Sequence, residues 1–553
     1  MLVNGLRFDN LRGDIYGGIV AAVVALPLAL AFGVASGAGA IAGLYGAIFV
    51  GFFAALFGGT PAQCSGPTGP MTVVMAGIVV QFSDQPALAF TTVILAGICQ
   101  ILFGVCRIGQ YISLIPYPVI SGFMSAIGAI IIILQIGPAL GHQGLKGVLT
   151  NLSAIPDFVS DPVFDALLVF LLTISIVCLT PGRISKIIPA SLLALIVGTL
   201  VVANVLTDAP VIGDIPQGFP EIIRPIFDVD ILMLMLESAV VLAMLGSIDS
   251  LLTSLVCDNM TRSHHDSNRE LIGQGIGNIV AGFLGGLPGA GATMRSVANI
   301  RTGGRTPISG MLHSVILLAI LLGLGPLAEK IPLAVLAGIL FKVGVDIIDW
   351  RFLKRLRGVP RADLVVMASV FLITVLVDLI TGVAVGVVLA SLLFVKEMSE
   401  LELANFRIIV GGIHEAPLDS EESEVLERNK ERILLIHIEG PMSFGSAKTM
   451  VRRVMADHAF NTVKSVVFDL SDVPIIDGTA CTAVDDILAM VHANGQHLIF
   501  VAMQPKVSSV LENFGVKAHI RPGHQFETRL TALKHAAYVA GSKHSDDVSG
   551  YKI

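Results

Sequence analysis

Apolar residues occupy long blocks of this chain from about Ile15 to about Phe394, and short polar loops separate the blocks. An α-helix needs about 20 predominantly apolar residues to cross a hydrocarbon core of roughly 30 Å. The blocks therefore predict about fourteen membrane segments. Their expected boundaries are 15–33, 37–58, 66–81, 87–106, 112–137, 164–181, 187–205, 232–257, 268–284, 291–303, 307–326, 331–346, 361–380 and 382–400.

An acidic loop, 204–230, divides these segments into two groups of about seven. Because an odd number of crossings inverts the second copy, two such groups are typical of an inverted repeat. In each group the third segment is interrupted by glycine and proline. We therefore expect a polytopic α-helical membrane protein with a 7+7 inverted repeat, an inference that rests on topology more than on identity between the halves.

The interruptions are Cys64-Ser-Gly-Pro-Thr-Gly-Pro-Met-Thr72 and Pro288-Gly-Ala-Gly-Ala-Thr-Met-Arg295. Unwound backbone at membrane depth is tolerated only where protein buries it or a cavity adjoins it, and paired breaks mark the binding site of many transporters. Pro67 suits the first turn of a half-helix, and Thr68 and Thr72 supply hydroxyl groups. Two helix N-termini that face one another suit a small anion. The alternative is that the small residues only permit close helix crossings.

Asp249 lies inside an apolar run, 242–256, where an unpaired carboxylate is costly. Thr253 is one helical turn further on and shares its helix face, and the second break offers Gly291 and Thr293 to the same site. Oxygen-only ligands suit a hard cation such as Na⁺. The alternatives are a solvated carboxylate near a helix end and a structural ion pair.

Arg295 is expected near the first turn of the second half-helix. It is a candidate partner for Asp249 and, equally, a candidate counter-charge for a bound anion. A third interpretation is that its long side chain extends toward the cytoplasm.

The pattern changes after about Lys430, where strand and helix signals alternate. Strands are predicted at 433–438, 464–470 and 497–502, and helices near 446–458, 479–493 and 505–514. This alternation is typical of a small α/β domain. The expected organisation is a transmembrane domain at 1–402, a charged linker at 403–430, the α/β domain at 431–540 and a polar, disordered tail at 541–553.

Composition and charge agree with a membrane protein. Hydrophobic residues make up 54% of the chain, charged residues 14%, and the mean hydropathy is +0.82. Loops on one side of the segments carry about twelve lysines and arginines against about three on the other, which predicts cytoplasmic N- and C-termini. The net charge of −7 and the scattered cations do not indicate a nucleic-acid partner. A basic run, 351–357, is expected to lie at the lipid surface.

Across essentially its whole length the chain resembles the SulP/SLC26 anion transporter family. The matching motifs are Asn10-Leu-Arg-Gly-Asp14, Ala25-Leu-Pro-Leu-Ala-Leu-Ala-Phe-Gly-Val-Ala-Ser-Gly37, Gly66-Pro-Thr-Gly-Pro-Met-Thr72, Gly246-Ser-Ile-Asp-Ser-Leu-Leu-Thr253, Glu270-Leu-Ile-Gly-Gln-Gly275 and Ile331-Pro-Leu-Ala-Val-Leu-Ala-Gly338. The resemblance implies a UraA/SLC26-like 7+7 fold with core and gate subdomains that move as an elevator. It also implies a cytoplasmic STAS domain, a homodimer and a place in the bacterial inner membrane.

The same resemblance implies roles for individual residues. The residues that match Na⁺ ligands are Asp249, Thr253, Gly291 and Thr293. The residues that match or adjoin the anion site are Thr68, Ala292, Thr293 and Arg295. Arg295 departs from the bicarbonate-transporting branch of the family, which has glycine there, and matches the arginine that many other members place beside their anion. In the STAS domain, Thr479 occupies the place of a phosphorylatable residue.

The expected function is secondary anion transport, with Na⁺-coupled bicarbonate uptake as the first hypothesis. No enzymatic activity and no cofactor are expected, and Na⁺ is the expected coupling ion. The expected partners are the anion, the lipid bilayer, a second copy of the chain and a cytoplasmic protein bound to the STAS domain. Within the family the alternatives are sulfate or C4-dicarboxylate uptake, with proton coupling through Asp249. Outside it they are an anion channel and a STAS-led signalling receptor.

Overall fold

The computed structural model describes residues 7–112, 116–142, 145, 147–181, 184, 188–213, 220, 222–226, 231–377, 379–411 and 418–541. The rest of the predicted polar tail, 542–553, lies outside the described residues. The chain forms two compact units, Met1–Ala390 and Ser391–Ile553.

A helix lies in each of the predicted membrane segments. The first seven are α1 (Leu11–Ala35), α2 (Ala40–Phe57), α3 (Gly69–Gln81), α4 (Pro86–Val105), α5 (Tyr117–Leu134), α6 (Phe164–Leu179) and α7 (Ala190–Asn204). The others are α8 (Leu232–Thr261), α9 (Ser267–Phe283), α10 (Thr293–Arg301), α11 (Pro307–Ala328), α12 (Leu333–Ile347), α13 (Arg361–Leu376) and α14 (Leu379–Ala404). Shorter helices occupy Gly109–Ile112, Ile136–Ala139, Val148–Ser160 and Trp350–Leu353.

Six helices among the described residues are long and apolar enough to cross a membrane by themselves. A seventh candidate is the helix Val148–Ser160 taken together with α6, to which it is bent by 114°. The helices α3 and α7 are apolar but shorter. In α3 and α10 the length is limited because each helix begins at one of the Gly/Pro breaks.

The first unit shows the expected repeat in the way its helices pack. Helix α2 packs on α11, and its counterpart α9 packs on α4; likewise α1 packs on α11, and its counterpart α8 packs on α4. These eight helices, α1–α4 and α8–α11, form one interlocked bundle. Helices α5, α6, α7, α12 and α13 pack mainly on one another and form a second bundle.

Glycine pairs permit the closest crossings. A Cβ on Gly97 of α4 would lie 2.6 Å from the carbonyl of Gly275 on α9, and a Cβ on Gly275 would lie 2.5 Å from the carbonyl of Gly97. The same reciprocal contact joins Gly128 of α5 to Gly344 of α12, at 2.5 and 2.8 Å. The hydrophobic effect does not drive helix association in lipid, so close packing of this kind is what holds the helices together.

The second unit is built on a five-stranded sheet of order β3-β4-β5-β6-β7. Its strands are β3 (Phe406–Ile409), β4 (Ile433–Glu439), β5 (Ser465–Asp472), β6 (His497–Val501) and β7 (Gln525–Phe526). Strand β3 is antiparallel to β4, and the other neighbours are parallel. Helices α16 (Phe444–Ala456), α17 (Gly478–Ala493) and α18 (Pro505–Asn513) cover one face. Helices α15 (Ser420–Arg428) and α19 (Arg529–Gly541) cover the other.

The predicted α/β pattern is confirmed, but the stretch 403–430 differs from the expected linker. It contains β3, whose Phe406 and Ile409 are buried, and α15. A capping box between Asp419 and Glu422 begins α15, and Leu426 of that helix is fully buried. The many charges of this stretch conceal a single apolar stripe, which is why its sequence resembles a solvated linker.

Candidate substrate and ion site

The two interrupted segments meet inside the first unit. Residues Ser65–Gly66 form β1 and Ala290–Gly291 form β2, and the two short strands pair in antiparallel fashion. Ser65 lies opposite Gly291, and Gly66 lies opposite Ala290. A half-helix follows each strand, so the ladder brings the starts of α3 and α10 together. The prediction that the two broken helices face one another is confirmed.

Each half-helix begins at a residue that was implicated from the sequence. Thr68 is the N-cap of α3, and Ala292 is the N-cap of α10. The first turns of both helices carry backbone N–H groups without intrahelical acceptors and the positive ends of the helix dipoles. Pro70, not Pro67, lies in the first turn of α3. The prediction for Pro67 was wrong because the helix begins only at Gly69, after the N-cap residue Thr68.

The two threonines of the first break have different roles. The Thr72 hydroxyl donates to the carbonyl of Thr68 at 2.8 Å, so it is already engaged within the helix. The Thr68 hydroxyl is buried and has no hydrogen-bond partner. Only Thr68 therefore offers an unused hydroxyl to a ligand, whereas both had been expected to do so.

Three of the predicted Na⁺ ligands lie together. The Thr253 hydroxyl is 2.9 Å from the Gly291 carbonyl, to which it donates, and 2.7 Å from the Thr293 hydroxyl. The Gly291 N–H donates to Ser250 Oγ at 3.0 Å, which ties the second break to α8. Thr253 is fully buried and Thr293 is exposed, so the oxygen cluster extends from the interior to the surface of the unit.

Asp249 is one helical turn before Thr253 on α8. Its Oδ2 atom is buried without a hydrogen-bond partner, and the Thr68 hydroxyl approaches the same carboxylate. An apolar cavity adjoins the carboxylate. Besides Asp249, its lining residues are Pro70, Val119, Ile120, Phe123, Met124, Leu245, Ile248, Leu252 and Val383. A carboxylate with a free oxygen in these surroundings lacks charge compensation.

Arg295 does not compensate Asp249. Both residues are described by the structure, and no ion pair joins them. The guanidinium is 1% exposed, donates from Nη2 to the Pro67 carbonyl at 2.8 Å, and has no partner at Nε or Nη1. A Cβ on Gly66 would lie 2.4 Å from Nη1, so glycine makes room for the side chain. The cytoplasmic orientation considered for Arg295 is wrong, and its positive charge is buried at the first break.

A second buried carboxylate, Glu270 of α9, had no predicted role. Its Oε2 accepts from the N–H groups of Gly59 and Thr60, both at 2.9 Å, and its Oε1 accepts from Gln63 Nε2 at 2.7 Å and Gln274 Nε2 at 2.8 Å. Four donors satisfy the carboxylate although it is 1% exposed.

The Glu270 network reaches the ladder and α8. Gln274 also donates to Ser65 Oγ of β1, and Gln63 Oε1 accepts from Ser254 Oγ at 3.0 Å. The Gln63 amide fills the space left by Gly291, where a Cβ would lie 2.3 Å from Nε2. The available sequence signal was the Glu270/Gln274 pair, one turn apart on a glycine-rich apolar helix.

In the second unit, Thr479 is exposed in the first turn of α17. The N-cap residue of that helix, Asp477, accepts from Ala480 N at 2.8 Å and from Phe444 N at 2.7 Å. Thr479 is therefore accessible at a helix N-terminus, and its regulation stays a prediction.

Two interlocked helical repeats with broken helices that meet in the interior, followed by an α/β domain, define a multi-span membrane transporter. The chain belongs to the Sulfate permease family, which matches residues 11–370, and a STAS domain matches residues 425–532. The SulP/SLC26 resemblance of the sequence is thereby confirmed.

Relatives cover the whole chain. The chain is 45% identical to the bicarbonate transporter BicA of Synechocystis sp., over 99% of this chain and 98% of that protein. It is 44% identical to BicA of Picosynechococcus sp., over 97% and 96% of the two chains.

Solved structures support the same fold. The transmembrane domain of a cyanobacterial bicarbonate transporter BicA matches with a TM-score of 0.66 and 52% identity, over 69% of this chain and 100% of that one. SLC26A9 matches with a TM-score of 0.83 and 18% identity, over 96% of this chain and 91% of that one. The second likeness includes both the membrane unit and the STAS domain and concerns the fold alone.

Proposed function

We propose that this chain takes up bicarbonate together with Na⁺ as a secondary transporter. The observation that carries the proposal is the oxygen cluster of Thr253, Gly291 and Thr293, one helical turn from a carboxylate with a free buried oxygen. The full-length similarity to two BicA transporters points to bicarbonate as the anion. Transport without chemical conversion of the solute also agrees with the family.

The residues fit Na⁺ because they supply only oxygen. Asp249 contributes a negative charge, Thr253 and Thr293 contribute hydroxyl oxygens, and Gly291 contributes a carbonyl. Hard monovalent and divalent cations prefer such oxygen donors. A bound Na⁺ would supply the charge compensation that Asp249 lacks.

The anion would bind between the two helix N-termini. The N-cap residues of the two half-helices are Thr68 and Ala292, and the buried Thr68 hydroxyl has no hydrogen-bond partner. Helix dipoles and unpaired N–H groups favour a negative charge there. Because Na⁺ and the anion would occupy neighbouring positions of opposite charge, each would strengthen the binding of the other, which is the energetic requirement for symport.

The two helical bundles of the first unit suggest how the binding site could become accessible from each side of the membrane in turn. The bundle of α1–α4 and α8–α11 contains the breaks and the oxygen cluster, and the bundle of α5–α7, α12 and α13 does not. An elevator movement would carry the first bundle past the second. The proposal includes a homodimer in the bacterial inner membrane with both termini in the cytoplasm.

A doubly charged anion is the second candidate, and Arg295 is the observation that favours it. Two of its guanidinium nitrogens are buried without partners beside the first break. A fixed positive charge at that place favours sulfate or a dicarboxylate over a monovalent anion. In that case Asp249 would be a protonation site for proton coupling.

Uptake by the purified protein in liposomes tests these candidates. Radiolabelled bicarbonate, sulfate and succinate are each supplied with an inward Na⁺ gradient, an inward proton gradient or neither. Saturable bicarbonate uptake that requires Na⁺ supports the proposal. Uptake of sulfate or succinate driven by protons replaces it with the second candidate, and non-saturable anion currents would indicate a channel.

A further inference from the structure

The loop between α12 and α13 presents a group of cations that the transport site does not use. Five basic residues lie between positions 351 and 361, and all five side chains are exposed. They are Arg351, Lys354, Arg355, Arg357 and Arg361. Within the described part of the chain, none of them forms an ion pair with a carboxylate. The group, here named the basic loop, is therefore a cluster of exposed cations without a direct ion-pair partner.

The basic loop has a defined conformation. Backbone hydrogen bonds from Lys354 N to Trp350 O at 3.0 Å, from Arg355 N to Phe352 O at 2.9 Å and from Gly358 N to Arg355 O at 2.9 Å close successive turns. The cations are thus held on a compact segment. Ordering them costs little additional entropy on binding, in contrast to cations on a flexible tail.

Contacts with α5 fix the loop to the second helical bundle. Phe352 is buried, and its ring packs on Tyr117 with centroids 5.9 Å apart. The Tyr117 hydroxyl donates to Asp349 Oδ2 at 2.6 Å, and Asp349 Oδ1 accepts from Phe352 N at 3.2 Å. Because α5, α12 and α13 pack together, the basic loop lies at the ends of three packed helices.

Two exposed apolar side chains accompany the cations. The Trp350 ring is 46% exposed while its indole N–H donates to Val345 O at 2.7 Å, and Leu356 is 38% exposed. Tryptophan is enriched at the headgroup level of bilayers. Four of the five cations are arginines, whose planar fork matches phosphate oxygens in a bidentate manner that lysine does not reproduce.

We propose that the basic loop binds the phosphodiester headgroup of anionic phospholipids in the surrounding bilayer. The planar arginine side chains and the exposed positive charges of the basic loop fit such a headgroup. The exposed tryptophan at the end of membrane helices fits it as well. Binding there would hold the bundle of α5, α12 and α13 against the membrane surface. The inference goes beyond anion transport and does not depend on which anion is carried.

Native mass spectrometry of the full-length protein in detergent tests this proposal. The protein is titrated with phosphatidylglycerol or with phosphatidylcholine of the same acyl chains. The test variant is Arg351→Ala/Arg355→Ala/Arg357→Ala. The matched control is Arg262→Ala/Arg301→Ala/Arg305→Ala, which removes three exposed arginines outside the basic loop. A third variant changes Arg351, Arg355 and Arg357 to lysine and keeps the charge.

The wild-type protein should bind phosphatidylglycerol more tightly than phosphatidylcholine. Each alanine in the basic loop should weaken phosphatidylglycerol binding about fivefold, so the triple variant should lose about a hundredfold. The control should bind like the wild type, and the lysine variant should fall between them. Equal affinities of the triple variant and the control would overturn the proposal. Displacement of the lipid by inorganic phosphate would also overturn it, because the loop would then be a site for free phosphate.

Discussion

Two carboxylates inside the membrane unit, those of Glu270 and Asp249, have opposite surroundings. Glu270 accepts four hydrogen bonds from backbone and amide donors. Asp249 Oδ2 has no hydrogen-bond partner, although the Thr68 hydroxyl approaches the carboxylate. A carboxylate whose oxygens all accept hydrogen bonds stabilises the fold, whereas one with an unpaired oxygen in a transporter is a candidate binding site for a mobile cation.

The comparison also separates stability from function. The Glu270 network holds the segment before β1 on α9 and contacts β1 through Ser65. The Asp249 region contacts the same ladder at β2, where Thr253 donates to the Gly291 carbonyl. Changes in the Glu270 network should therefore act mainly on folding, and changes around Asp249 should act mainly on uptake.

The largest expected effect is that of Glu270→Ala on folding. Removing the carboxylate leaves four buried donors unpaired, on Gly59, Thr60, Gln63 and Gln274. At about 1–3 kcal/mol for each unsatisfied group, the loss is roughly 4 kcal/mol or more. We expect little monodisperse protein and a lower thermal midpoint by differential scanning fluorimetry in detergent. A wild-type midpoint would show that the network does not support the fold.

Asp249→Asn should instead leave the fold intact and remove Na⁺ stimulation of uptake. The amide keeps the shape but not the charge, and interactions with a charged group are worth about 1.5–3 kcal/mol, so Na⁺ affinity should fall roughly 10- to 100-fold. The measurement is bicarbonate uptake into liposomes as a function of Na⁺ concentration. Its control is the thermal midpoint, which should match that of the wild type. An unchanged Na⁺ dependence would remove Asp249 from the ion site.

The sequence predicted the region around Asp249 much better than the network around Glu270. Asp249 stands alone in an apolar run, and the two Gly/Pro breaks are visible as local interruptions. Glu270 is close to the polar start of α9, where a carboxylate is ordinary, and its partners Gly59 and Gln63 are about 210 residues away in the chain. Pairing over such a distance is a property of the tertiary fold, which no local pattern records.

The orientation of the Arg295 side chain could not be predicted from the sequence either. Its position after the second break was evident, but three orientations of the side chain remained open from the sequence. The choice depends on Gly66 and Pro67 of the other half, which provide the space and the acceptor. Helix positions, the two Gly/Pro breaks and the α/β pattern follow from local signals, whereas β3 and α15 were concealed by charge.

Gly291→Ala should affect both folding and uptake, because Gly291 contacts Gln63 of the Glu270 network and Thr253 near Asp249. The new methyl group would meet Gln63 Nε2 at 2.3 Å and displace an amide that Glu270 and Ser254 hold. Overpacking of this kind costs about 1–3 kcal/mol, so both the thermal midpoint and the uptake rate should fall. Gly77→Ala in α3, where nothing lies within 4 Å, is the matched control and should change neither. Equal behaviour of the two variants would contradict the close contact.

Thr68→Val should weaken anion binding without affecting folding. Within the described residues the Thr68 hydroxyl makes no hydrogen bond, although it approaches the Asp249 carboxylate. A hydrogen bond to a charged ligand is worth about 1.5 kcal/mol or more, so the KM for the anion should rise roughly tenfold. Thr72→Val is the control, because its hydroxyl donates only to the Thr68 carbonyl. Its KM should stay near that of the wild type. Identical KM values for both variants would mean that the Thr68 hydroxyl does not face the anion.

The buried carboxylate Asp469 of the STAS domain differs from Glu270 and Asp249 because a cation pairs with it. Burial alone would raise the pKa of Asp469, but hydrogen bonds from His437 and Ser471 and the Arg529 charge outweigh burial and hold that pKa well below its usual range. The ionised group therefore adds stability at every pH above the unfolded value of about 3.9, and this contribution is lost as the pH falls through the folded pKa.

Between neutral pH and about pH 5 we thus expect no change in the opening free energy of β4 and β5, and below about pH 4 a progressive loss. Hydrogen exchange of the full-length protein, corrected for the intrinsic pH dependence of exchange, measures this quantity. In Asp469→Asn the acid-dependent loss should be smaller, because the amide does not titrate and only other carboxylates contribute. An equal acid response in the wild type and the variant would show that the ionised Asp469 carboxylate does not stabilise the sheet.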